Sequence, residues 1–296
     1  MISIIIPTFN NLEYLKICIN SLKKNSTYKN EILLHINEGV DGTLEYAIEN
    51  NLTYTLSKVN NGMCIGCNAV SKKSNYDLIL YSHDDMYFCP GWDSILIDEF
   101  KSLNTNKFYL SSIMINADPK LNGHLNLMAG ETAKVFDEKK LLSEYKNLSH
   151  HDFQGSTWAP HLIHRDIWEK VGGFSEEFSP GAGSDPDLNM KLWNEGVRIF
   201  KCLGKSKVYH FGSITMRKKL QTSFKKALRT SNANKIFLLK WGITINFFKK
   251  YYLRTNSVYV GELNEPIKNF SYYTDLSKVK MSFLYYKFIS LFKNFY

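Results

Sequence analysis

The chain has 296 residues, of which 44% are hydrophobic and 22% charged, and it contains five cysteines. This apolar content argues against disorder and is sufficient for one large domain or two smaller ones. The odd number and wide scatter of the cysteines predict free thiols in a reducing compartment. No positively charged leader precedes the first strand-like run, so we expect a cytoplasmic protein.

The net charge of +9 is distributed unevenly along the chain. Residues 1–200 hold 18 Lys and Arg against 25 Asp and Glu, whereas residues 201–296 hold 19 against 3. Aromatic residues alternate with lysines in this basic part, at Phe247–Arg254 and Phe283–Tyr296. The pattern suits a helix lying in the interface of an anionic membrane, and a packed helical subdomain with a solvated basic face explains it equally well.

The basic part carries no recognised nucleic-acid-binding module, so we predict no nucleic-acid partner. Its apolar stretch at residues 236–248 is interrupted by Lys240. That stretch is shorter than the roughly 20 apolar residues that cross a bilayer. We therefore expect a peripheral membrane contact at most.

Strand-like and helix-like segments alternate over the first 115 residues. Ile2–Ile6 is a β-branched run stopped by Pro7, and Asn11–Lys24 has apolar residues near helical spacing. The same alternation recurs at 31–36 and 42–50, at 54–56 and 65–71, and at 77–81 and 92–103, before a further strand at 108–115. This order predicts an α/β fold with a mostly parallel sheet flanked by helices. Continuous apolar strands agree with that prediction, because parallel strands are buried on both faces.

The pattern is weaker in the second half of the chain. Residues 116–156 show no clear period, which indicates a long excursion over the strand ends, a type of loop that is usually functional. We predict a strand at Trp158–His164, helices at Arg165–Val171 and Pro186–Asn194, and a mainly helical structure from Arg217 onward.

Polar clusters follow each of the first four predicted strands. They are Pro7, Thr8 and Asn10; Asn37, Glu38 and Asp41; Asn60, Asn61 and Gly62; and His83, Asp84 and Asp85. Taken singly, each cluster is explained by a turn or a helix cap. Ligands of an open parallel sheet bind beyond the carboxyl ends of its strands, so four clusters at the same end favour a nucleotide site.

Adjacent carboxylates at Asp84 and Asp85 follow a buried strand. They repel each other unless a cation or a hydrogen-bond donor neutralises them, and Mg²⁺ or Mn²⁺ with oxygen ligands does so well. A solvated acidic turn is the alternative. Two cysteines at Cys64 and Cys67 have zinc-ligand spacing, but no second pair accompanies them.

The segment around Asp185 allows two interpretations. Pro186 favours the first position of a helix, which makes Asp185 the expected N-cap and either a plain cap or a general base. Ser184 with Asp187 matches a capping box, which favours the plain cap. His210 ends an apolar strand before a basic segment, and is either structural or a ligand beside a charged leaving group.

Taken in order, these segments resemble the family 2 glycosyltransferases, which have the GT-A fold. The resemblance covers residues 1–215 and is carried by five motifs. They are S-I-I-I-P-T-F-N from Ser3, H-D-D-M from His83, G-G-F-S-E-E-F from Gly172, S-D-P-D-L from Ser184 and V-Y-H from Val208. It implies a GT-A domain at 1–215 followed by a basic, aromatic and mainly helical region at 216–296.

The resemblance also implies an activity: inverting, metal-dependent transfer of a sugar from a nucleotide-diphosphate donor, with UDP favoured, to a hydroxyl of a saccharide or glycolipid acceptor. Asp185 matches the catalytic base, and Asp85 with His210 matches the Mn²⁺ or Mg²⁺ ligands. The expected donor-binding residues are Pro7, Thr8, Asn10, Asn37, Glu38, Asn61, Gly62, Asp84 and Arg217. The expected acceptor contacts are Trp158 and Ser184, and the expected pathway is cell-surface polysaccharide or glycoconjugate synthesis.

Three departures from the family pattern are visible. N-E-G-V-D at residues 37–41 replaces D-D-G-S-x-D, so the contact to the base falls at Asn37, Glu38 or Asp41. His83 stands at the first position of the D-x-D motif, and Ser184 replaces the usual Glu. The rival function is a catalytically silent nucleotide- or glycan-binding protein. A dinucleotide dehydrogenase is disfavoured, because no G-x-G-x-x-G follows the first strand.

Overall fold

The computed structural model describes residues 1–117, 124–212 and 223–292, with the backbone alone described at 223–231 and 290–292. These residues form one ten-stranded sheet and its flanking helices. The strands are β1 (Ile2–Phe9), β2 (Glu31–Asn37), β3 (Thr53–Ser57), β4 (Leu78–Tyr81), β5 (Met86–Phe88), β6 (Phe108–Asn116), β7 (Leu125–Asn126), β8 (Phe153–Gln154), β9 (His161–His164) and β10 (Ile199–His210). The longer helices are α1 (Leu12–Asn25), α2 (Thr43–Glu49), α3 (Met63–Ser71), α4 (Trp92–Ser102), α5 (Glu138–Glu144), α6 (Arg165–Lys170), α7 (Ser184–Asn194), α8 (Ser223–Trp241) and α9 (Phe270–Phe292).

The strand order is β3-β2-β1-β4-β9-β6-β10-β5, with β7 beside β6 and β8 beside β10. The first four strands of that order are parallel to one another. β9 runs antiparallel to both β4 and β6, so β6 and its parallel neighbour β10 point the same way as β1. The predicted α/β class, with a mostly parallel sheet and a helical C-terminal part, is confirmed.

The sheet centre is apolar on both faces, as expected of a buried parallel strand. Ile4, Ile5 and Ile6 of β1 are fully buried. α1 covers one face with Leu15 and Ile19, which recur at helical spacing. The bounds predicted for the elements in the first 115 residues agree with the structure to within about two residues, except that β1 was expected to stop before Pro7 and instead continues through it to Phe9.

Three local features differ from the prediction. The strand expected from Trp158 begins only at His161, because the preceding Pro160 has no N–H to donate to a ladder. β5 was not predicted, and it pairs antiparallel with β10 at the sheet edge. The excursion at 116–156 contains α5 and the short strands β7 and β8.

The C-terminal part packs onto the sheet domain. Phe237 of α8, Phe248 and Leu253 are fully buried in the same hydrophobic cluster as the strands. Residues 245–252 form a short helical segment between α8 and α9. The predicted boundary at 215 and 216 lies outside the described residues. Within the described part of the chain, no helix combines the length and the apolarity that a membrane span requires.

Candidate active site

Asp84 is held between the ends of two neighbouring strands. Because β1 pairs with β4, the residues after β4 lie beside the end of β1. Thr8 donates to Asp84 Oδ2 at 2.7 Å, and Asn11 donates to Oδ1 at 3.1 Å. Burial, followed by the charge of Asp85, raises the pKa of Asp84, and these two hydrogen bonds act in the opposite direction. Asp84 is thus a buried carboxyl group fixed in one orientation.

The residues after β2 differ in the hydrogen bonds that their side chains accept. Asn37 accepts a hydrogen bond from the backbone N–H of Asn61 at 2.9 Å, and Asp41 accepts from Leu12 N at 2.9 Å and from the Thr43 hydroxyl at 2.6 Å. Glu38 is half-buried and accepts from Asn10 at 3.2 Å. Asn37 and Asp41 therefore both stabilise loops, although Asp41 is exposed, whereas Glu38 contacts Asn10, another of the predicted donor-binding residues.

Asn61 and Gly62 join the loop after β3 to the loop before α7. Ser179 donates to the carbonyl of Asn61 at 3.1 Å. Gly62 has φ of +83°, and a Cβ there would lie 2.7 Å from Pro180 Cα. Glycine is thus required at this position both by the backbone conformation and by the close approach of the second loop. The loop after β3 and the loop before α7 are therefore in contact at Asn61 and Gly62.

His83, Asp85 and His210 form a cluster whose ligand atoms all lie within 4.8 Å of one another. His210 Nε2 lies 3.4 Å from Asp85 Oδ1, and His83 Nδ1 lies 3.9 Å from it. The cluster forms because His210 pairs with Met86 in the β10–β5 ladder, directly beside Asp85. The predicted partners Asp85 and His210 are therefore brought together, and the structure adds His83.

The cluster fits a divalent transition metal. Ligands about 2.1 Å from a shared ion lie roughly 3 to 4 Å apart, close to the observed separations. Removal from water lowers the pKa of His83 to about 4, so its ring is neutral at pH 7 and able to ligate. Two imidazoles with one carboxylate suit Mn²⁺ better than Mg²⁺, which prefers oxygen ligands. Among the described residues, Cys64 and Cys67 belong to no such cluster.

Asp185 is the second residue of α7, not its N-cap. Gly183, with φ of +81°, occupies the cap position, so the predicted cap at Asp185 is wrong. The predicted capping box is wrong as well, because Ser184 donates to the Gly181 carbonyl and Asp187 bonds elsewhere. A glycine in the left-handed region lets the chain turn sharply into the helix. The turn places Asp185 beside His161 of β9.

The carboxyl group of Asp185 is incompletely hydrogen-bonded. Its Oδ1 is buried and has no hydrogen-bond partner among the described residues, while 19% of the side chain stays accessible. His161 Nδ1 lies 3.9 Å from Oδ1, beyond hydrogen-bond range. Burial lowers the pKa of His161 to about 3, so this ring is neutral and adds no positive charge. Burial accordingly raises the pKa of Asp185 to about 7.

A row of rings connects the metal-ligand cluster to Asp185. The ring of Tyr81 lies 5.5 Å from that of His83 and 5.2 Å from that of His161. Burial raises the pKa of Tyr81 well above its usual value, and the charges of Asp185 and Asp84 add to the effect. Tyr81 thus lies between the metal-ligand cluster and Asp185. This row of rings indicates that the cluster and Asp185 belong to one site.

Asp187 is held by the C-terminal part of the chain. Trp241 Nε1 donates to its Oδ1 at 2.8 Å, Lys240 Nζ lies 3.0 Å from the same oxygen, and Ser175 donates to Oδ2 at 2.5 Å. Asp187 is fully buried. Lys240 and Trp241, at the end of α8, therefore fix the first turn of α7, which carries Asp185.

The remaining predicted residues have different surroundings. The half-buried ring of Trp158 lies 4.7 Å from that of His124, and its Nε1 has no partner in the described part of the chain. Ser184 is fully buried, and Pro7 is half-buried within β1. Arg217 lies outside the described residues. The acceptor contacts of Trp158 and Ser184 remain predictions.

Four contributors to the site were not predicted: Asn11, His83, His161 and Asp187. The T-F-N-N run contains Asn11, and His83 adjoins the acidic pair, so both had a local signal. His161 had none, because it approaches Asp185 only through the pairing of β9 between β4 and β6. Asp187 had none either, because its partners Lys240 and Trp241 lie more than fifty residues further along the chain.

The fold is shared with a protein of known structure. S. aureus TarS residues 1–349 superposes with a TM-score of 0.53 and 14% identity over 79% of this chain and 68% of that one. Its complex with UDP gives 0.54 and 14% over 84% and 72%, and its complex with UDP-GlcNAc gives 0.51 and 14% over 81% and 71%. These likenesses show a shared fold. No curated protein sequence matches the chain.

The family described as Glycosyl transferase family 2 matches residues 3–171, more than half of the chain. The matched segment contains the Thr8–Asp84 contact, Asp85 and His161, whereas Asp185 and His210 follow it. The predicted resemblance is thereby confirmed, and this chain belongs to glycosyl transferase family 2.

Proposed function

We propose that the protein is an inverting, metal-dependent glycosyltransferase that moves a sugar from a UDP-sugar to a hydroxyl of a saccharide or glycolipid acceptor. The observation that carries the proposal is the state of Asp185. Its carboxyl group is largely buried, its Oδ1 lacks a partner in the part of the chain that the structure describes, and it lies one row of rings away from the metal-ligand cluster. A buried carboxylate oxygen without a hydrogen-bond donor is suited to accept a proton.

Asp185 supplies general-base catalysis in this proposal. A base is most effective when its pKa is near the working pH, and the pKa of Asp185 is about 7. The carboxylate takes the proton of the acceptor hydroxyl as that oxygen attacks the anomeric carbon. Attack from the side opposite the diphosphate, in a single displacement, inverts the configuration of that carbon.

His83, Asp85 and His210 would hold the metal, with Mn²⁺ favoured over Mg²⁺ by the donor set. A bound divalent ion supplies positive charge for the departing diphosphate. Asp84 is oriented by Thr8 toward the same edge and is proposed to bind the ribose. Arg217 is proposed to add positive charge near the leaving group.

The donor pocket is proposed to follow the carboxyl ends of β1, β2 and β3. The proposed contacts are Pro7, Thr8, Asn10, Asn37, Glu38, Asn61 and Gly62. The choice of UDP rests on the family and on the UDP and UDP-GlcNAc complexes of S. aureus TarS, and it favours a hexosyl or N-acetylhexosaminyl donor. Trp158 and Ser184 are proposed to contact the acceptor.

A donor screen followed by product analysis tests the function. We expect UDP-sugars to raise the melting temperature more than GDP- or dTDP-sugars do, and more strongly with Mn²⁺ than without it. Proton NMR of the glycosylated product should show the anomeric configuration opposite to that of the donor. Retention would contradict the single displacement, and donor binding without any turnover would indicate the silent binding protein.

We further propose that residues 1–215 form the catalytic domain, that residues 216–296 form an extension packed on it, and that the enzyme acts in the cytoplasm in cell-surface polysaccharide synthesis. The shared hydrophobic cluster and the hold of Trp241 on Asp187 support a function for the extension in positioning α7. Its basic charge supports a peripheral contact with an anionic membrane.

A further inference from the structure

α9 has two apolar faces, and one of them covers the protein core. The side chains of that face recur at helical spacing and are Tyr272, Leu276, Val279, Phe283 and Tyr286. The ring of Tyr272 lies 5.1 Å from those of Phe247 and Tyr251 in the 245–252 segment. Packing within the protein thus explains why this face of α9 is apolar. It does not explain the apolar side chains on the other face, which are exposed in the described structure.

The opposite face of α9 carries large apolar side chains in solvent. These residues, with their exposed fractions, are Phe270 (87%), Tyr273 (55%), Met281 (72%), Leu284 (64%), Tyr285 (60%) and Phe288 (61%). At about 100° per residue they fall within an arc of roughly 120°, centred opposite the core face. We call these six residues the apolar stripe. Thr274 and Ser277 lie in the same arc and separate Phe270 and Tyr273 from the four residues nearer the C-terminus. Large apolar side chains grouped on one exposed face mark an interaction surface.

Lysines border the apolar stripe on both sides. Lys278 lies along one edge, and Lys280 and Lys287 lie along the other, all three exposed. The last acidic residue before the C-terminus is Asp275, and residues 201–296 hold 19 basic residues against 3 acidic ones. Lysine stems reach along apolar surface while their ammonium groups stay in water, which suits the boundary between lipid tails and head groups.

We propose that the apolar stripe docks on the surface of a lipid bilayer that contains anionic head groups, with α9 parallel to the membrane plane. The flanking lysines complement a negative surface, because basic side chains next to a membrane are attracted to anionic head groups. A second copy of the chain would bring two strongly basic surfaces together and is disfavoured by their repulsion. The stripe gives the membrane contact of the proposed function a specific location.

Vesicle co-sedimentation of the full chain tests the proposal without substrate. We expect binding to phosphatidylcholine vesicles that contain phosphatidylglycerol, and much weaker binding to phosphatidylcholine alone. The double variant Leu284→Ser/Phe288→Ser should weaken partition by more than about tenfold, because two apolar side chains no longer enter the interface. The matched control Ile48→Ser/Val135→Ser, at exposed apolar positions elsewhere, should bind like the wild type.

A second variant tests the charge separately. Lys280→Glu/Lys287→Glu should remove the preference for phosphatidylglycerol. Equal partition of the wild type and the Leu284→Ser/Phe288→Ser variant would overturn the proposal. So would a dimer, seen by analytical ultracentrifugation, that only this variant dissociates. Transfer to a water-soluble acceptor without vesicles should be the same in all variants, so failure of lipid binding and failure of the transferase function are distinguishable.

Discussion

Asp84, at the end of the parallel strands, and Asp185, at the start of α7, are acidic groups in contrasting surroundings. Thr8 and Asn11 donate to both oxygens of Asp84, whereas Oδ1 of Asp185 has no partner among the described residues. Burial raises the pKa of both carboxyl groups, but hydrogen bonds fix the orientation of Asp84, whereas Oδ1 of Asp185 receives none from the described residues. This contrast supports the proposal that Asp84 orients a ligand and that Asp185 exchanges a proton.

The same contrast exists within α7. Asp187 is two residues from Asp185, yet Trp241, Lys240 and Ser175 satisfy its carboxylate. One helix turn therefore combines an anchor and a group left available for chemistry. The anchor is supplied by the extension, which links the C-terminal part to the proposed catalytic step.

The largest effect is expected from Asp185→Asn. Without a base, transfer should fall by about 10² to 10⁴-fold, while affinity for the donor stays nearly unchanged. Initial rates and calorimetric donor titration measure the two quantities. The exposed Asp166→Asn is the matched control and should keep full activity. Turnover near the wild-type rate in Asp185→Asn would remove the proposed distinction between the two acidic groups.

The next largest effect is expected at the metal-ligand cluster. Asp85→Ala removes the one carboxylate of the cluster and should weaken Mn²⁺ binding by about 100-fold or more. Electron paramagnetic resonance of the free ion measures this binding. Asp84→Asn retains a polar group between Thr8 and Asn11 and should therefore weaken Mn²⁺ binding less. His151→Gln, which replaces an exposed histidine, serves as the control. Equal losses in Asp85→Ala and the control would place the ion elsewhere.

Trp241→Phe tests the anchor of Asp187. The ring is kept but the N–H donor to a fully buried carboxylate is lost, which should lower the free energy of unfolding by about 1–2 kcal/mol. Urea unfolding at neutral pH measures it. Trp158→Phe is the matched control, because Trp158 Nε1 has no partner in the described structure, and it should cost less. The reverse order would contradict an anchoring function for Trp241.

The smallest effect concerns pH. Because the pKa of Asp185 is about 7, the transfer rate should rise roughly tenfold between about pH 6 and pH 8 and then level off.

The effect of Asp185 on the stability of the fold has the opposite sign, because stability should fall as the pH rises. The folded pKa lies above the unfolded value of about 4, so this group makes unfolding easier as pH rises between these values. Asp185→Asn should therefore be more stable than the wild type above about pH 7, and an unchanged melting temperature there would contradict the raised pKa.

The sequence alone determined the α/β class and the strand ends at which polar residues collect, and both follow from hydrophobic periodicity and from residues adjacent in the chain, which are local signals. The choice of Asp84, Asp85, Asp185 and His210 as candidate site residues depended in addition on the resemblance to the family. The bounds of α1 and the start of β1 were predictable for the same reason.

Tertiary structure alone decided the state of those groups. His161 reaches Asp185 by inserting β9 into the sheet, and Trp241 reaches Asp187 from a helix more than fifty residues away. The cap at Gly183 replaced the expected one because the loop packs against Phe178 and α8. No local period encodes such contacts, since burial and hydrogen-bond satisfaction depend on which distant segments meet. The difference between the fixed Asp84 and Asp185, whose Oδ1 lacks a partner among the described residues, is therefore a property of the folded chain.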